Sequence, residues 1–407
     1  MKFSLITMGC QMNEYDSERI RESLIACGFH ETDVQDANLI VILTCVVREK
    51  PQKKALSLVS HHLRRGKRVL VAGCLSPIAK DTLEAKGALV VFPGEYDVVP
   101  ELLGLSHPGT KRILRGPSAF VTIIEGCENF CSYCVVPYVR GPERPRPPDE
   151  ILSEIRELEA QGLKDLTLLG QNVSAYSWGD VDFPKLLRII HDETGIPFIK
   201  FTTSHPRDID SCLAETIAER PRLSRWFHMP LQSGSDRVLA LMNRGYTSSD
   251  YLGKIDMIRS ILPDAVITTD LMVGFPTETE EDFQATLRVV ERVGFDRAFM
   301  FSFDPRPRAK ASEMSDQVPP EVKSERLRRL VDFTIERIRE RKKRFIGKEM
   351  SLLALSSRRG RTDCTTRDGL VVLLWGDYEP GQMIRARITG LEGLIPVAER
   401  AGPYLRL

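Results

Sequence analysis

The run Gly126-Cys127-Glu128-Asn129-Phe130-Cys131-Ser132-Tyr133-Cys134 spaces three cysteines as C-x3-C-x2-C, directly after the strand-like stretch Phe120–Ile124. Three thiolates this close can bind three irons of a cubane 4Fe–4S cluster and leave the fourth iron open. Iron–sulfur clusters usually take four cysteines, and a structural zinc site closes four ligands. The nearest histidines, His107 and His191, are remote in sequence. The same run also fits a zinc knuckle with a distant fourth ligand, or thiols buried as small hydrophobes.

Outward from this run, roughly Pro117 to Arg308, strand and helix patterns alternate. The expected strands are Phe120–Ile124, Asp165–Leu169, Phe198–Thr202, Trp226–Pro230, Ala265–Met272 and Arg297–Phe301. The expected helices are Pro148–Gln161, Phe183–Thr194, Cys212–Glu219, Ser235–Met242, Ser248–Leu262 and Thr279–Val293. Six such units suggest a partial (β/α)6 barrel with its chemistry at the C-terminal strand ends. The triad follows the first strand, and polar turns follow later ones. These turns make Tyr133, Gln171, Asn172, Gln232 and Ser233 the candidate cofactor contacts.

The first hundred residues alternate in the same way. Strands are expected at Lys2–Met8, Leu39–Leu43, Val69–Ala72 and Leu89–Phe92, with helical stretches at Glu18–Ala26 and Val46–Arg65. This pattern predicts a doubly wound parallel sheet. Cys10, Cys45 and Cys74 each stand just past a strand's C-terminal end. Strand ends in an open parallel sheet share one crevice, so the three thiols converge on a second three-thiolate site. Any one of them alone reads as a small core residue.

After Pro319-Pro320 comes a charged helix from about Glu321 to Arg344, whose far end is basic. Gly347 to Leu407 reads as five short strands: Glu349–Leu355, Arg361–Thr366, Leu370–Leu374, Met383–Thr389 and Leu394–Pro396. A small five-stranded barrel of the oligonucleotide-binding kind fits. Lys342, Lys343, Arg344, Arg358 and Arg359 are the candidate RNA contacts, and Trp375 and Tyr378 can stack on bases. The organisation expected is 1–116, 117–318, a linker helix 319–346, and 347–407.

Composition narrows the class. A net charge of +1 does not announce a nucleic-acid partner, so that reading rests on local patches. No run of about 18 apolar residues is present, which argues against a membrane span. The start reads as a strand rather than a signal peptide, so a cytoplasmic chain is expected. Nine cysteines in a reducing compartment then point to metal or redox chemistry before disulfides.

The triad, with an aromatic just before its third cysteine, resembles the radical S-adenosylmethionine superfamily. Over nearly its whole length the chain resembles that superfamily's methylthiotransferases. Met8-Gly9-Cys10-Gln11-Met12-Asn13-Glu14-Tyr15-Asp16-Ser17-Glu18, Thr44-Cys45-Val46-Val47-Arg48-Glu49 and Cys134-Val135-Val136-Pro137-Tyr138-Val139-Arg140-Gly141 look like the branch acting on isopentenyladenosine in tRNA. Gln11-Met12-Asn13 departs from the branches acting on a ribosomal-protein aspartate and on threonylcarbamoyladenosine. The resemblance implies an N-terminal methylthiotransferase unit, a radical core and a C-terminal TRAM barrel. It also implies two 4Fe–4S clusters, one on Cys127, Cys131 and Cys134 and an auxiliary one on Cys10, Cys45 and Cys74. S-adenosylmethionine is the implied cofactor, the tRNA anticodon stem-loop the substrate, and a flavodoxin or ferredoxin the electron donor to a monomer. One departure stands at Phe303-Asp304-Pro305-Arg306-Pro307-Arg308-Ala309, where the family often reads Tyr-Ser-x-Arg-Pro-Gly-Thr. Cys27, Cys212 and Cys364 match no motif.

The implied reaction replaces an unactivated C–H on adenine by a methylthio group. No side-chain acid or base does this, so the protein's task is positioning and exclusion of water. Both triads must then face one cavity, between the barrel mouth and the strand ends of the first unit. The remaining alternatives are the two other methylthiotransferase branches, a zinc-holding RNA-binding module without catalysis, and a radical core whose N-terminal cysteines are inert.

Overall fold

A computed structural model of the chain describes residues 1–46, 49–106 and 109–402. Val47 and Arg48 of the second motif lie outside the described residues.

The N-terminal sheet is fully parallel. Its strands run in the spatial order His30–Glu31, Lys2–Met8, Leu39–Thr44, Arg68–Ala72 and Leu89–Val90. Leu39–Thr44 is buried throughout because helices cover both faces of the sheet, and one core lies on each side. The first helix spans Gln11–Ala26 and begins seven residues before the expected start. Its first turns bury Asn13, Asp16 and Ser17 beside Met12 and Tyr15, which masks the usual apolar stripe.

The central region has the six expected strands in two parallel trios. One runs Phe198–Phe201, Asp165–Leu169, Ser118–Thr122; the other runs Trp226–His228, Val266–Val273, Arg297–Ser302. The ladder breaks between the trios because Ile199 exchanges its backbone bonds with Arg222 and Ser224 instead of the next strand. The helices pack outside this wall around one large apolar cluster containing Leu168, Ile199, Phe227 and Ile267. The result is the partial barrel that the strand count predicts.

A helix, Pro320–Lys342, leads to five strands that close into a barrel in the order Glu349–Arg358, Arg361–Thr366, Val371–Trp375, Ile395–Arg400, Met383–Glu392. This barrel docks under the N-terminal ends of the central strands. Lys164 donates to Gly381 O (2.7 Å), Lys200 to Thr365 Oγ1 (3.0 Å), and Arg225 N to Asp368 Oδ1 (2.8 Å). Gly369 packs against the Trp226 ring. The cysteine ends of the strands therefore face the opposite way, which keeps them open. No helix among the described residues is long and apolar enough to cross a membrane.

Candidate functional site

The loop after Ser118–Thr122 carries Cys127, Cys131 and Cys134, and its shape rests on Gly126. That residue has φ +83°, and a Cβ there would lie 1.8 Å from Pro142 O. Only glycine fits where two backbone segments approach this closely. Gly126 N donates to Gln171 Oε1 (2.5 Å) and Cys127 N to Gly141 O (3.1 Å). Donors point at all three sulfurs. Asn129 Nδ2 reaches Cys127 Sγ (3.4 Å), an Arg244 Nη reaches Cys131 Sγ (3.3 Å), and Val136 N reaches Cys134 Sγ (3.5 Å). Burial, with Cys131 beside it, pushes the Cys134 thiol up to about 12, and burial raises Cys127 as well. Thiols that resist ionising alone become thiolates when metal replaces the proton.

Cys10, Cys45 and Cys74 stand on three turns that pack around Asn13. A Cβ on Gly9 or on Gly73 would meet the Asn13 side chain at 2.7 and 2.8 Å, and one on Gly73 would also meet Thr44 O at 2.9 Å. Cys45 N bonds Met8 O (3.0 Å), which ties the first two turns together. Cys10 is the N-cap residue of Gln11–Ala26; its thiol accepts no bond from the first-turn backbone and instead donates to Asn13 Oδ1 (3.5 Å). Asn13 is fully buried and its Nδ2 has no partner among the described residues. The sequence pattern thus leads to three neighbouring turns, as expected for strand ends of one crevice.

The two triads are joined directly. Val46 and Cys74 pack with Val135, Val139 and Ala309 in one small apolar cluster. Arg140, on the short helix Val136–Arg140 after Cys134, donates from Nε to Cys74 Sγ (3.2 Å) and from an Nη to Asp16 Oδ2 (2.7 Å). Sequence reasoning missed Arg140, Arg244, Asn129 and Asn13 as site residues. Their signal was their place inside or near the cysteine motifs. In the departing loop, Arg308 holds φ +73°, a left-handed backbone that favours glycine, at the place where the family pattern has glycine.

The expected cofactor contacts divide. Gln232 stands just past a strand end with φ +69°, and its Oε1 is buried with no partner among the described residues. Tyr133 packs beside Met272 and Phe303, and its hydroxyl accepts from Arg244 (3.4 Å). Gln171 spends its amide oxygen on Gly126 N and so positions the cysteine loop. Asn172 is 1% exposed; its amide accepts from His205 N (2.9 Å) and donates to Asp208 (2.6 Å). Ser233 departs from expectation: it is fully buried, and its hydroxyl accepts from Ser235 N (3.2 Å) inside the turn. Strain marks the mouth, because Thr203, Gln232 and Thr277, all just past strand ends, have positive φ without being glycine.

The expected RNA contacts divide too. Lys342 is turned inward and donates to Leu394 O (2.6 Å), and burial lowers its pKa. Arg344 is paired with Asp296 (2.7 Å) and staples the linker to the central strands. Lys343 pairs with Glu340 (2.6 Å) on the helix surface. The basic run is therefore largely committed to the protein, because the helix end is wedged between two folded units. Arg358 and Arg359 are exposed at a hairpin tip. Trp375 is 43% exposed with the Arg361 guanidinium over its ring (4.5 Å). Tyr378 instead packs against the barrel core.

Among the described residues no three His, Cys, Asp or Glu side chains stand close enough to hold one metal ion. A cubane puts each cysteine on its own iron and accepts a wider spread of sulfurs. Sulfur-directed donors and the Asn13 Nδ2, which has no partner among the described residues, fit such a group, since hydrogen bonds to sulfur tune it.

Comparison with known proteins agrees with this geometry. Residues 121–290 match the Radical SAM superfamily, the class that an open half-barrel with a three-cysteine loop defines. Residues 2–92 match the Uncharacterized protein family UPF0004. The tRNA-2-methylthio-N(6)-dimethylallyladenosine synthase of Bdellovibrio bacteriovorus is 40% identical, covering 85% of this chain and 83% of its own length. Those of Aquifex aeolicus (38% identical, 88% and 89% covered) and Thermus thermophilus (42%, 87% and 81%) are similar. The chain belongs to the tRNA-2-methylthio-N(6)-dimethylallyladenosine synthase family. In fold alone it is similar to the radical S-adenosylmethionine methyltransferase TsrM of Kitasatospora setae (TM-score 0.59, 15% identity, 77% and 75% covered).

Proposed function

We propose that this chain converts N6-dimethylallyladenosine in tRNA to its 2-methylthio derivative by radical C–H activation with two S-adenosylmethionine molecules. The observation that carries the reading is the packing of the Cys74 turn against Val135 and Val139, the residues that follow Cys134. It supports two sites working on one substrate. On this reading Cys127, Cys131 and Cys134 hold one 4Fe–4S cluster, and Cys10, Cys45 and Cys74 hold a second. When bound, the first would supply reductive cleavage of S-adenosylmethionine and the second would carry the sulfur that is transferred.

The chain's own residues bind, orient and exclude water. Arg244 neutralises charge at Cys131 and fixes Tyr133 in the same contact. Gln171 holds the cysteine loop against the barrel mouth. The unpartnered Gln232 oxygen accepts from the bound nucleoside or amine. The apolar seam of Val46, Val135, Val139 and Ala309 keeps water from the path between the sites. The exposed Arg358, Arg359 and Trp375 grip the anticodon stem-loop. Residues 1–116, 117–318, 319–346 and 347–407 form the functional units, in a cytoplasmic monomer reduced by a flavodoxin or ferredoxin.

The test is anaerobic incubation of the reconstituted chain with dimethylallylated tRNA, S-adenosylmethionine and reductant, followed by mass spectrometry of the nucleosides. The methylthio product is expected. Unmodified nucleoside beside a modified ribosomal-protein aspartate or threonylcarbamoyladenosine would move the chain to another branch. A colourless, zinc-containing preparation would end the catalytic reading.

A further inference from the structure

Arg140 is more deeply committed than a loop arginine needs to be. It is 3% exposed and lies six positions after Cys134, yet two of its nitrogens reach into the N-terminal unit. Nε donates to Cys74 Sγ at 3.2 Å, and an Nη donates to Asp16 at 2.7 Å. Asp16 is itself fully buried, nearly two turns after Cys10 on the helix that the cysteine caps. The remaining nitrogen, Nη1, is buried with no partner among the described residues. A buried guanidinium N–H without an acceptor is costly, and besides Asp16 the buried Glu125 and Tyr96 interact electrostatically with this guanidinium. Nη1 belongs to the same guanidinium whose Nε meets the Cys74 sulfur. An acid–base pair would satisfy the charge alone; it would not require contact with sulfur.

We propose that Arg140 is a positioning residue that couples the two thiolate sites: it fixes the Cys134 segment to the Cys74 turn, and its charge sets the reduction potential of the cluster held by Cys10, Cys45 and Cys74. This deepens the two-cluster reading above and rests on it. The physics is direct. A cluster gains negative charge on reduction, so a nearby cation and hydrogen bonds to its sulfurs favour the reduced form and raise the potential. Asp16 opposes this by neutralising the same cation. The pair therefore acts as a tuner whose two members pull in opposite directions. Rigidity comes from the same contacts, since one planar guanidinium that donates to two partners holds them at a fixed relative angle.

The test uses the full-length chain with Cys127, Cys131 and Cys134 changed to alanine, so that the only cluster present after anaerobic reconstitution is at the first triad. Its one-electron potential is read by EPR-monitored titration with dithionite. Arg140→Gln is expected to lower the potential and Asp16→Asn to raise it. Arg140→Lys, which keeps the charge but loses donors, is expected to fall between Arg140→Gln and the parent and covers the case in which Arg140→Gln does not retain iron. A purely structural role for Arg140 would not give shifts of opposite sign. Unchanged potentials, or shifts of the same sign in Arg140→Gln and Asp16→Asn, would overturn the inference while leaving two clusters standing. A parent chain that binds no iron at the first triad would overturn the two-cluster reading and the coupling with it.

Discussion

Replacing Gly126 by alanine tests whether the cysteine loop depends on one close backbone approach. The new methyl group would begin 1.8 Å from Pro142 O, 2.5 Å from Pro142 C and 2.7 Å from Gly141 O, when about 3.0 Å is the floor for real Cβ contacts. Those atoms are backbone, so no side chain can rotate away. At φ +83° an L-residue also carries about 1–2 kcal/mol of local strain. Opening the gap parts Cys127 N from Gly141 O and Gly126 N from Gln171, each bond worth about 0.5–1.5 kcal/mol net. Together these disfavour the native loop by about 2–5 kcal/mol, roughly tens- to thousands-fold in population. On the two-cluster proposal only the loop's triad should suffer, so reconstituted iron should fall from about eight to about four atoms per chain, with S-adenosylmethionine cleavage lost. Gly73→Ala should give the reciprocal lesion, because its Cβ would meet Asn13 and Thr44 O. Gly162→Ala is the control: φ is +101° there, but nothing lies within 4 Å. Iron counting and EPR on the three variants decide the matter. A Gly126→Ala chain with full iron and normal cleavage would refute the reasoning.

Other expectations follow from single side chains. Gln232→Ala removes a buried acceptor that has no protein partner, so thermal stability should hold while S-adenosylmethionine affinity, measured by calorimetry, falls about tenfold, a value typical of one buried hydrogen bond. Arg358→Glu with Arg359→Glu should weaken tRNA binding and flatten the log–log salt dependence by about two, whereas Lys343→Glu should leave the slope unchanged. His205 is held neutral: burial first, then Arg244 and Arg207, lower its pKa from 6.5 to about 2. The unfolded chain therefore binds a proton below pH 6.5 that the folded chain refuses, and stability should fall with acid by up to about 1.4 kcal/mol per pH unit. Denaturant melts at pH 7 and pH 5 should show this slope, and His205→Asn should lose it.

The alternation of strands and helices was legible because each strand is a short apolar run closed by a turn, a pattern held within a few residues. Asp165–Leu169 and Arg361–Thr366 were read to the residue. The start of the first helix was not, because Asn13, Asp16 and Ser17 are buried instead of facing water. The basic run 342–344 looked free in sequence, yet Lys342 and Arg344 are consumed by Leu394 and Asp296, about fifty residues away. Ser233 looked like a mouth residue, but the turn folds its hydroxyl inward.

By itself the sequence determined the two cysteine trios, their places at strand ends and the α/β architecture that carries them, since ligand spacing and periodicity are local properties. Only the tertiary structure decided which charges are free, which polar atoms lack partners, and that Arg140 reaches Cys74 across 66 positions and Asp16 across 124. The physical reason is that a charge's partner is set by which surfaces pack together, and packing joins segments whose separation along the chain carries no trace of it.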